Sequence, residues 1–199
     1  SFQENLRERN HTDETEGEIL TNDMPSYFPA GESLKTAIYR YYDREEEEKI
    51  SEEEARAAKG KLAIDAPVIH NGAEFALMRE WYDWETLSPY ERASVFFSED
   101  LADWQEEELE ALKILKCNVY VESSGETVPA RALSYLTGAT NLDFSEDSDM
   151  TDVSGTMPAG RRFPQQIKCV WLNTYREEKY RALLQLLQDS QVEEIRVRV

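Results

Sequence analysis

The sequence contains few of the residues on which catalysis most often depends. Histidine occurs only as His11 and His70. Histidine is the usual general acid or base near neutral pH, yet neither residue has a recognisable triad partner. His11 falls in a polar N-terminal stretch, and His70 follows a short apolar run and precedes a turn. The sequence therefore predicts no catalytic residue and favours a protein that is not an enzyme.

Cysteine and phosphate-binding motifs are equally scarce. Cys117 and Cys169 have the spacing of neither a disulfide framework nor a metal site. Neither lies at a helix start or among basic residues that would lower a thiol pKa, so both are expected to be small apolar residues of strands in a reducing compartment. The chain also lacks a glycine-rich phosphate loop, a Walker pattern and a His-Glu-x-x-His motif. No cofactor is predicted.

Long apolar runs and positive charge are both in short supply. No apolar run approaches the roughly 20 residues that cross a bilayer, and the first residues lack the basic and apolar regions of a signal peptide. Lys and Arg number 22 against 41 Asp and Glu, which gives a net charge of −19. Nucleic acids and anionic membranes are bound mainly through cations, so direct contact with either is not expected. The chain is expected to be cytoplasmic.

Apolar residues are nevertheless numerous enough to form a core. They make up 40% of the chain, and aromatic residues make up 11%. Residues 1–23 differ from the rest because they are polar, acidic and without helical or strand periodicity, which predicts a flexible acidic arm. We expect residues 24–199 to form a single domain.

The apolar pattern predicts an α+β fold in which a small mixed sheet packs against several helices. The predicted strands lie at about residues 62–69, 117–121, 167–172 and 192–199. In the last of them Ile195, Val197 and Val199 alternate with charged residues, as in a half-buried strand. The C-terminal strand–helix–strand unit is either a parallel crossover or two strands flanking a helix. No repeat of 20–50 residues is recognisable.

Helix-start signals occur at several points of the chain. Ser51 and Glu54 form a capping box, and Thr174 and Glu177 form another. The segment Ser88-Pro89-Tyr90-Glu91 combines an N-cap, an early proline and a glutamate three residues later. A further helix is predicted by a buried stripe with an acidic opposite face; the stripe consists of Leu101, Trp104, Leu112 and Leu115.

The segment 141–160 is predicted to be an acidic loop. Closely spaced carboxylates can bind Ca²⁺, but the loop fails the spacing of a calcium-binding hand. Counted from Asp143, the required glycine and glutamate positions hold Ser148 and Ser154. The sequence therefore predicts no metal site.

Acidic and aromatic side chains are the remaining candidates for function. Carboxylates of residues 43–54 and 99–110 could bind a basic partner. Exposed aromatic residues often contribute most of the binding energy at interfaces, although packing in the core is their commoner role. The predicted partner-binding residues are Glu45, Glu46, Glu47, Glu48, Asp103, Glu106, Glu107, Glu110, Tyr42 and Trp84.

Three functional hypotheses follow from these patterns. The leading one is a non-enzymatic, acidic protein-binding module that acts as an inhibitor or accessory factor of a basic partner. Nucleic-acid-handling proteins are the first class of partner to consider, and the module would bind them by imitating DNA. The second is a structural component of a larger assembly such as a virion. The third is an enzyme with a carboxylate–metal site. The sequence predicts no oligomeric state.

Overall fold

The computed structural model describes residues 34–45, 48–147, 149–150, 152–174 and 176–198. The predicted arm at residues 1–23 lies outside the described residues, as do Glu46 and Glu47. Helices and a six-stranded sheet alternate through the described chain, so the α+β prediction is confirmed. No described helix is both long and apolar enough to cross a membrane.

The secondary structure consists of short elements joined by turns. The helices are α1 (Leu34–Tyr41), α2 (Glu52–Ala58), α3 (Gly72–Trp81), α4 (Glu106–Glu110), α5 (Ala130–Leu133) and α6 (Arg181–Gln188). The strands are β1 (Val68–Ile69), β2 (Arg92–Phe97), β3 (Asn118–Ser123), β4 (Thr127–Pro129), β5 (Asn141–Asp143), β6 (Asp152–Ser154), β7 (Cys169–Leu172) and β8 (Glu194–Val197). The four predicted strand regions coincide wholly or in part with β1, β3, β7 and β8, whereas β2, β4, β5 and β6 were not predicted.

The main sheet follows the chain from one edge to the other. Its order is β1-β2-β3-β5-β7-β8, and each neighbouring pair is parallel. The C-terminal unit is thus a parallel crossover, one of the two predicted alternatives. Strands β4 and β6 form a second parallel pair after β3 and β5.

This order amounts to a structural repeat, although no repeat of 20–50 residues is recognisable in the sequence. Six residues, one from each strand, are aligned with one another across the sheet: Val68, Ser94, Tyr120, Asp143, Trp171 and Arg196. Consecutive members of this row are 23 to 28 residues apart in the chain. Parallel strands that follow one another in chain order resemble the successive coils of a solenoid, although a few side-chain contacts here, such as Arg198 with Asp143, skip a strand. The repeat is hidden in the sequence because the connections differ, being helical in some coils and irregular in others.

Two predicted helices take other forms. The segment at Ser88 is a turn, in which the Ser88 hydroxyl accepts a hydrogen bond from the Tyr90 N–H, and β2 begins at Arg92. In the next segment Leu101 has a positive φ of 60°, so the chain turns there and α4 starts only at Glu106. The predicted stripe is still buried, because Leu101, Trp104, Leu112 and Leu115 all enter the core.

The two remaining capping predictions have different outcomes. The Ser51–Glu54 capping box is present at the start of α2, where each residue bonds the backbone N–H of the other. At the C-terminal helix, α6 begins at Arg181, beyond the predicted box at Thr174 and Glu177.

One face of the main sheet forms the wall of the core. The inner face carries apolar residues that are fully buried, among them Ile69, Val95, Val121, Leu142 and Val170. On the edge strand β8, Ile195 and Val197 point to the same face but are only half-buried. Because side chains alternate along a strand, the residues between them point to the opposite face, which we call the outer face. In β2 the outer residues are more exposed than their inner neighbours, and the same alternation recurs in β7 and β8.

Candidate protein-binding surface

The outer face carries polar, charged and aromatic side chains in rows across the strands. Most of them keep part of their surface in solvent. Parallel sheets are usually covered on both faces, so an outer face that solvent still reaches is a distinctive feature of this chain. The outer residues of β2, β3, β5, β7 and β8 are Arg92, Ser94, Phe96, Asn118, Tyr120, Glu122, Asn141, Asp143, Cys169, Trp171, Glu194 and Arg196.

Arg198, just beyond β8, organises one half of this face. Its guanidinium lies 4.4 Å from the centre of the Trp171 ring, and its Nε donates a hydrogen bond of 3.0 Å to Oδ2 of Asp143. Its Nη2 donates to the Tyr120 hydroxyl at 3.2 Å. Asp143 is fully buried, and its hydrogen bond raises the pKa of Arg198. The contacts of Arg198 hold the half-exposed Trp171 ring and the buried Tyr120 ring in place.

Two further arginines lie against the same aromatic rings. The guanidinium of Arg196 is 5.3 Å from the Trp171 ring centre, and that of Arg92 is 5.3 Å from the Tyr120 ring centre. Arg196 also forms an ion pair of 2.7 Å with Glu194, two residues earlier in β8. The predicted partner-binding set did not include this arginine–aromatic cluster, because its members meet only when β3, β5, β7 and β8 are aligned.

The other half of the outer face is acidic. The pKa of Glu122 in β3 is raised, first because the carboxyl is partly removed from water and then because Asp147 and Glu146 lie nearby. His70 and Arg92 oppose this shift without abolishing it. A positive charge from another molecule would therefore stabilise the ionised form of Glu122.

His70 lies beside this acidic half, where β1 ends. Its Nδ1 is 3.0 Å from Oε2 of Glu74, a buried residue in the first turn of α3, and its ring centre is 5.1 Å from that of Phe96. Asn71 fixes the turn because its side chain accepts a hydrogen bond from the Glu74 N–H. Glu74 therefore orients an exposed imidazole at the rim of the outer face.

The predicted carboxylates of α4 lie elsewhere, and two of them are paired within the chain. Glu106 contacts Arg131 at 2.5 Å and Arg161 at 3.5 Å, and it accepts a hydrogen bond from the Tyr135 hydroxyl. That hydrogen bond, with the two arginines, lowers the pKa of Glu106. Glu110 pairs with Arg161 at 2.7 Å. Asp103 and Glu107 are exposed.

Of the remaining described predicted residues, Tyr42, Glu45 and Glu48 lie in the connection between α1 and α2, and Trp84 lies just after α3. Glu45 and Glu48 are exposed. Tyr42 is half-buried, and its hydroxyl donates to the backbone oxygen of Glu54. Trp84 is also half-buried; its Nε1 donates to the backbone oxygen of Met78 at 3.1 Å, so both predicted aromatic residues contribute to internal packing.

Carboxylates of the predicted acidic loop bind the protein's own backbone. Asp147 accepts hydrogen bonds from the N–H groups of Ser123, Asp149 and Met150. Asp152 accepts from the N–H groups of Ala182 and Leu183 at the start of α6, at 2.7 and 2.9 Å. Among the described residues, no three His, Cys, Asp or Glu side chains are grouped so that they could hold a metal ion.

Comparisons of the whole chain with protein-family models, with curated proteins and with solved structures give no match. The geometry of the outer face therefore stands as the principal guide to function.

Proposed function

We propose that this chain is a non-enzymatic, acidic protein-binding module whose outer face receives a basic segment of a partner protein. The observation that carries the proposal is the outer face itself, a six-stranded parallel sheet with half-exposed aromatic and charged side chains. Solenoids commonly bind partners on an extended sheet surface of this kind. Trp171 is half-exposed on this face, and tryptophan is among the residue types that most often anchor an interface.

The charge balance supports a basic partner. The chain carries −19, and on the outer face Arg198 is paired with Asp143 and Arg196 with Glu194. Glu122 instead lies near further carboxylates, which raise its pKa. A lysine or arginine placed over Glu122 would relieve this repulsion, while Arg92 at the other end of the strands would orient the segment.

An inhibitor or accessory factor of a nucleic-acid-handling protein remains the leading role within this class, and it would act inside the cell. DNA mimicry needs rows of carboxylates free to replace phosphates. Glu106 and Glu110 are paired with arginines, and so is Glu54, which contacts Arg44 at 2.7 Å. This internal pairing favours the outer face over α4 as the binding surface.

A structural role in a larger assembly such as a virion is the second candidate. One observation favours it: β8 lies at an edge of the sheet, where its outward backbone groups can pair with another strand. For a carboxylate–metal enzyme, the third hypothesis, the described residues offer no supporting arrangement.

Site-specific photo-crosslinking in living cells tests the proposal. A photoreactive residue at Ser94, in the middle row of the outer face, should crosslink to a basic protein when the cells are irradiated. When salt is added to a cell extract before irradiation, the partner should dissociate and the crosslink should not form. The same probe at Glu107, which is exposed on α4, is the matched control. Adducts formed at Glu107 and never at Ser94 would contradict binding on the outer face.

A further inference from the structure

Strand β8 leaves backbone hydrogen-bonding groups at the edge of the sheet. Its pairing with β7 uses alternate residues, since the N–H of Glu194 bonds Lys168 and that of Arg198 bonds Leu172. In a parallel pair the intervening residues point their N–H and C=O groups away from the neighbour. Ile195 and Val197 therefore direct theirs outward, and within the described chain no other strand pairs with this side of β8.

Apolar side chains are exposed beside the same edge. Ile195, Leu184 and Val192 are only partly buried, although each packs against the core. They border a cleft of about 340 Å³ between the end of α6 and β8. In α1 and α2, by contrast, Leu34, Ile38, Ala55 and Ala58 are buried, although Tyr41 is exposed.

We propose that β8 pairs antiparallel with β8 of a second copy of this chain, about a two-fold axis through Ile195. This register places Glu194 of each copy opposite Arg196 of the other, and opposite charges across antiparallel strands attract. It also sets the two Ile195 side chains side by side at the clefts between α6 and β8. The free N–H and C=O groups of the two Ile195 residues then bond each other.

The alternative two-fold register, centred on Arg196, is less favourable. It would place the two Arg196 side chains directly opposite each other, and like charges in that position repel. It would also require Arg198 to face Glu194, but Arg198 is held by the buried carboxylate of Asp143. The charges of β8 thus select one partner and one register, giving a continuous sheet through a two-fold dimer.

Charge exchange in β8 tests this dimer. Sedimentation equilibrium of the full chain should show a reversible monomer–dimer equilibrium. Either single reversal, Glu194→Arg or Arg196→Glu, replaces attraction by repulsion and should weaken the dimer on the order of tenfold or more. A mixture of the two single variants should form a heterodimer, because the opposite charges meet again. The double exchange, Glu194→Arg with Arg196→Glu, should recover the homodimer.

Several results would overturn the proposal. A chain that stays monomeric at millimolar concentration has no such interface, and a dimer indifferent to both reversals uses another surface. If a single variant fails to fold, mixing the original chain with the double exchange gives an independent measurement. These two should sort into homodimers, and free formation of their heterodimer would exclude the register centred on Ile195.

Discussion

The guanidinium of Arg198 reaches across β7 to the carboxylate of Asp143 in β5, over the ring of Trp171. The two residues are 55 positions apart in sequence, and their Nε–Oδ2 distance is 3.0 Å. Asp143 is fully buried, whereas Arg198 is partly exposed. The pair ties the edge of the sheet to its interior, so its removal should have a measurable cost.

Arg198→Met should lower the free energy of unfolding by about 1–3 kcal/mol, because it leaves a buried carboxylate without its cation. Adding Asp143→Asn should recover part of the loss. Arg196→Met is the control, because the Arg196–Glu194 pair is exposed and exposed ion pairs contribute little to stability. Urea unfolding at one low protein concentration measures all four chains. Equal losses at positions 196 and 198 would contradict the special role of the buried pair.

Asp152 should stabilise α6 from a distant strand. It accepts two N–H groups of the first turn, at Ala182 and Leu183, so Asp152→Ala should cost about 1–2 kcal/mol. Asp152→Asn keeps an acceptor and should cost less. Hydrogen exchange of the α6 amides, with the exposed Asp149→Ala as control, reports the effect. Unchanged protection of α6 after Asp152→Ala would refute it.

Glu122 should make the fold less stable as its carboxyl ionises. Its pKa is raised in the folded chain, mainly by burial, so the native state holds the proton more tightly than the unfolded state. Its contribution to stability therefore falls as pH rises from the ordinary glutamate range through the raised value. Glu122→Gln should be more stable than the original chain at neutral pH.

The difference between these two chains should shrink as the solution is acidified below the ordinary glutamate pKa. Comparing the two chains isolates the effect of Glu122, because both contain the same other carboxylates. Glu106 and Glu54 have lowered pKa values, so their contributions to the stability of the fold decrease on acidification in both chains. Thermal melts at several pH values measure the difference. A constant gap across pH would show that glutamine stabilises for reasons other than charge.

The two thiols should react very differently with iodoacetamide in the native protein. Cys117 is fully buried, and burial raises its pKa to about 12, so almost no thiolate forms at pH 8. Cys169 lies half-exposed on the outer face, also with a raised pKa. We expect slow labelling of Cys169, none of Cys117, and fast labelling of both in denaturant. Labelling of native Cys117 by peptide mass mapping would contradict this packing.

Once a partner is identified, the salt dependence of binding and the replacement of single glutamates by glutamine should distinguish the outer face from α4 as the binding surface. Glu122→Gln should weaken a salt-sensitive complex formed on the outer face, and Glu107→Gln should not. The triple neutralisation of Glu106, Glu107 and Glu110 is a poorer test, because two of these residues pair with Arg131 and Arg161. A complex weakened only by Glu107→Gln would favour α4 as the acidic binding surface.

Strands were predictable where apolar alternation is strong and turns are clear. Ile195 and Val197 alternate with charges, and the register of β8 with β7 agrees with that pattern. Strand β2 was missed because Ser88, Pro89 and Glu91 imitate a helix start directly before it. Strand β5 was missed because it has three residues, one of them the acidic Asp143.

The outer face was harder to predict than the strands that form it. Trp171, Tyr120 and Arg198 lie far apart in sequence and meet only through the order of the strands. Once parallel order and register are known, one aligned row places Tyr120, Asp143 and Trp171 side by side, and Arg198 lies two residues beyond Arg196 of that row. The sequence by itself favoured residues that cluster locally, such as Glu106 and Glu107, and gave no sign that Arg131 would bind one of them.

The sequential order of the parallel strands also affects how the chain can change over evolution. Each inner strand of the main sheet lies between the strands that precede and follow it there, so the backbone pairing joins neighbouring coils. A duplication or deletion of one whole coil, about 25 residues, would keep this backbone pairing, whereas a side-chain contact that skips a strand, such as Arg198 with Asp143, would change. A gene that encodes such a chain can therefore vary in length by whole coils while the hydrophobic interior stays continuous.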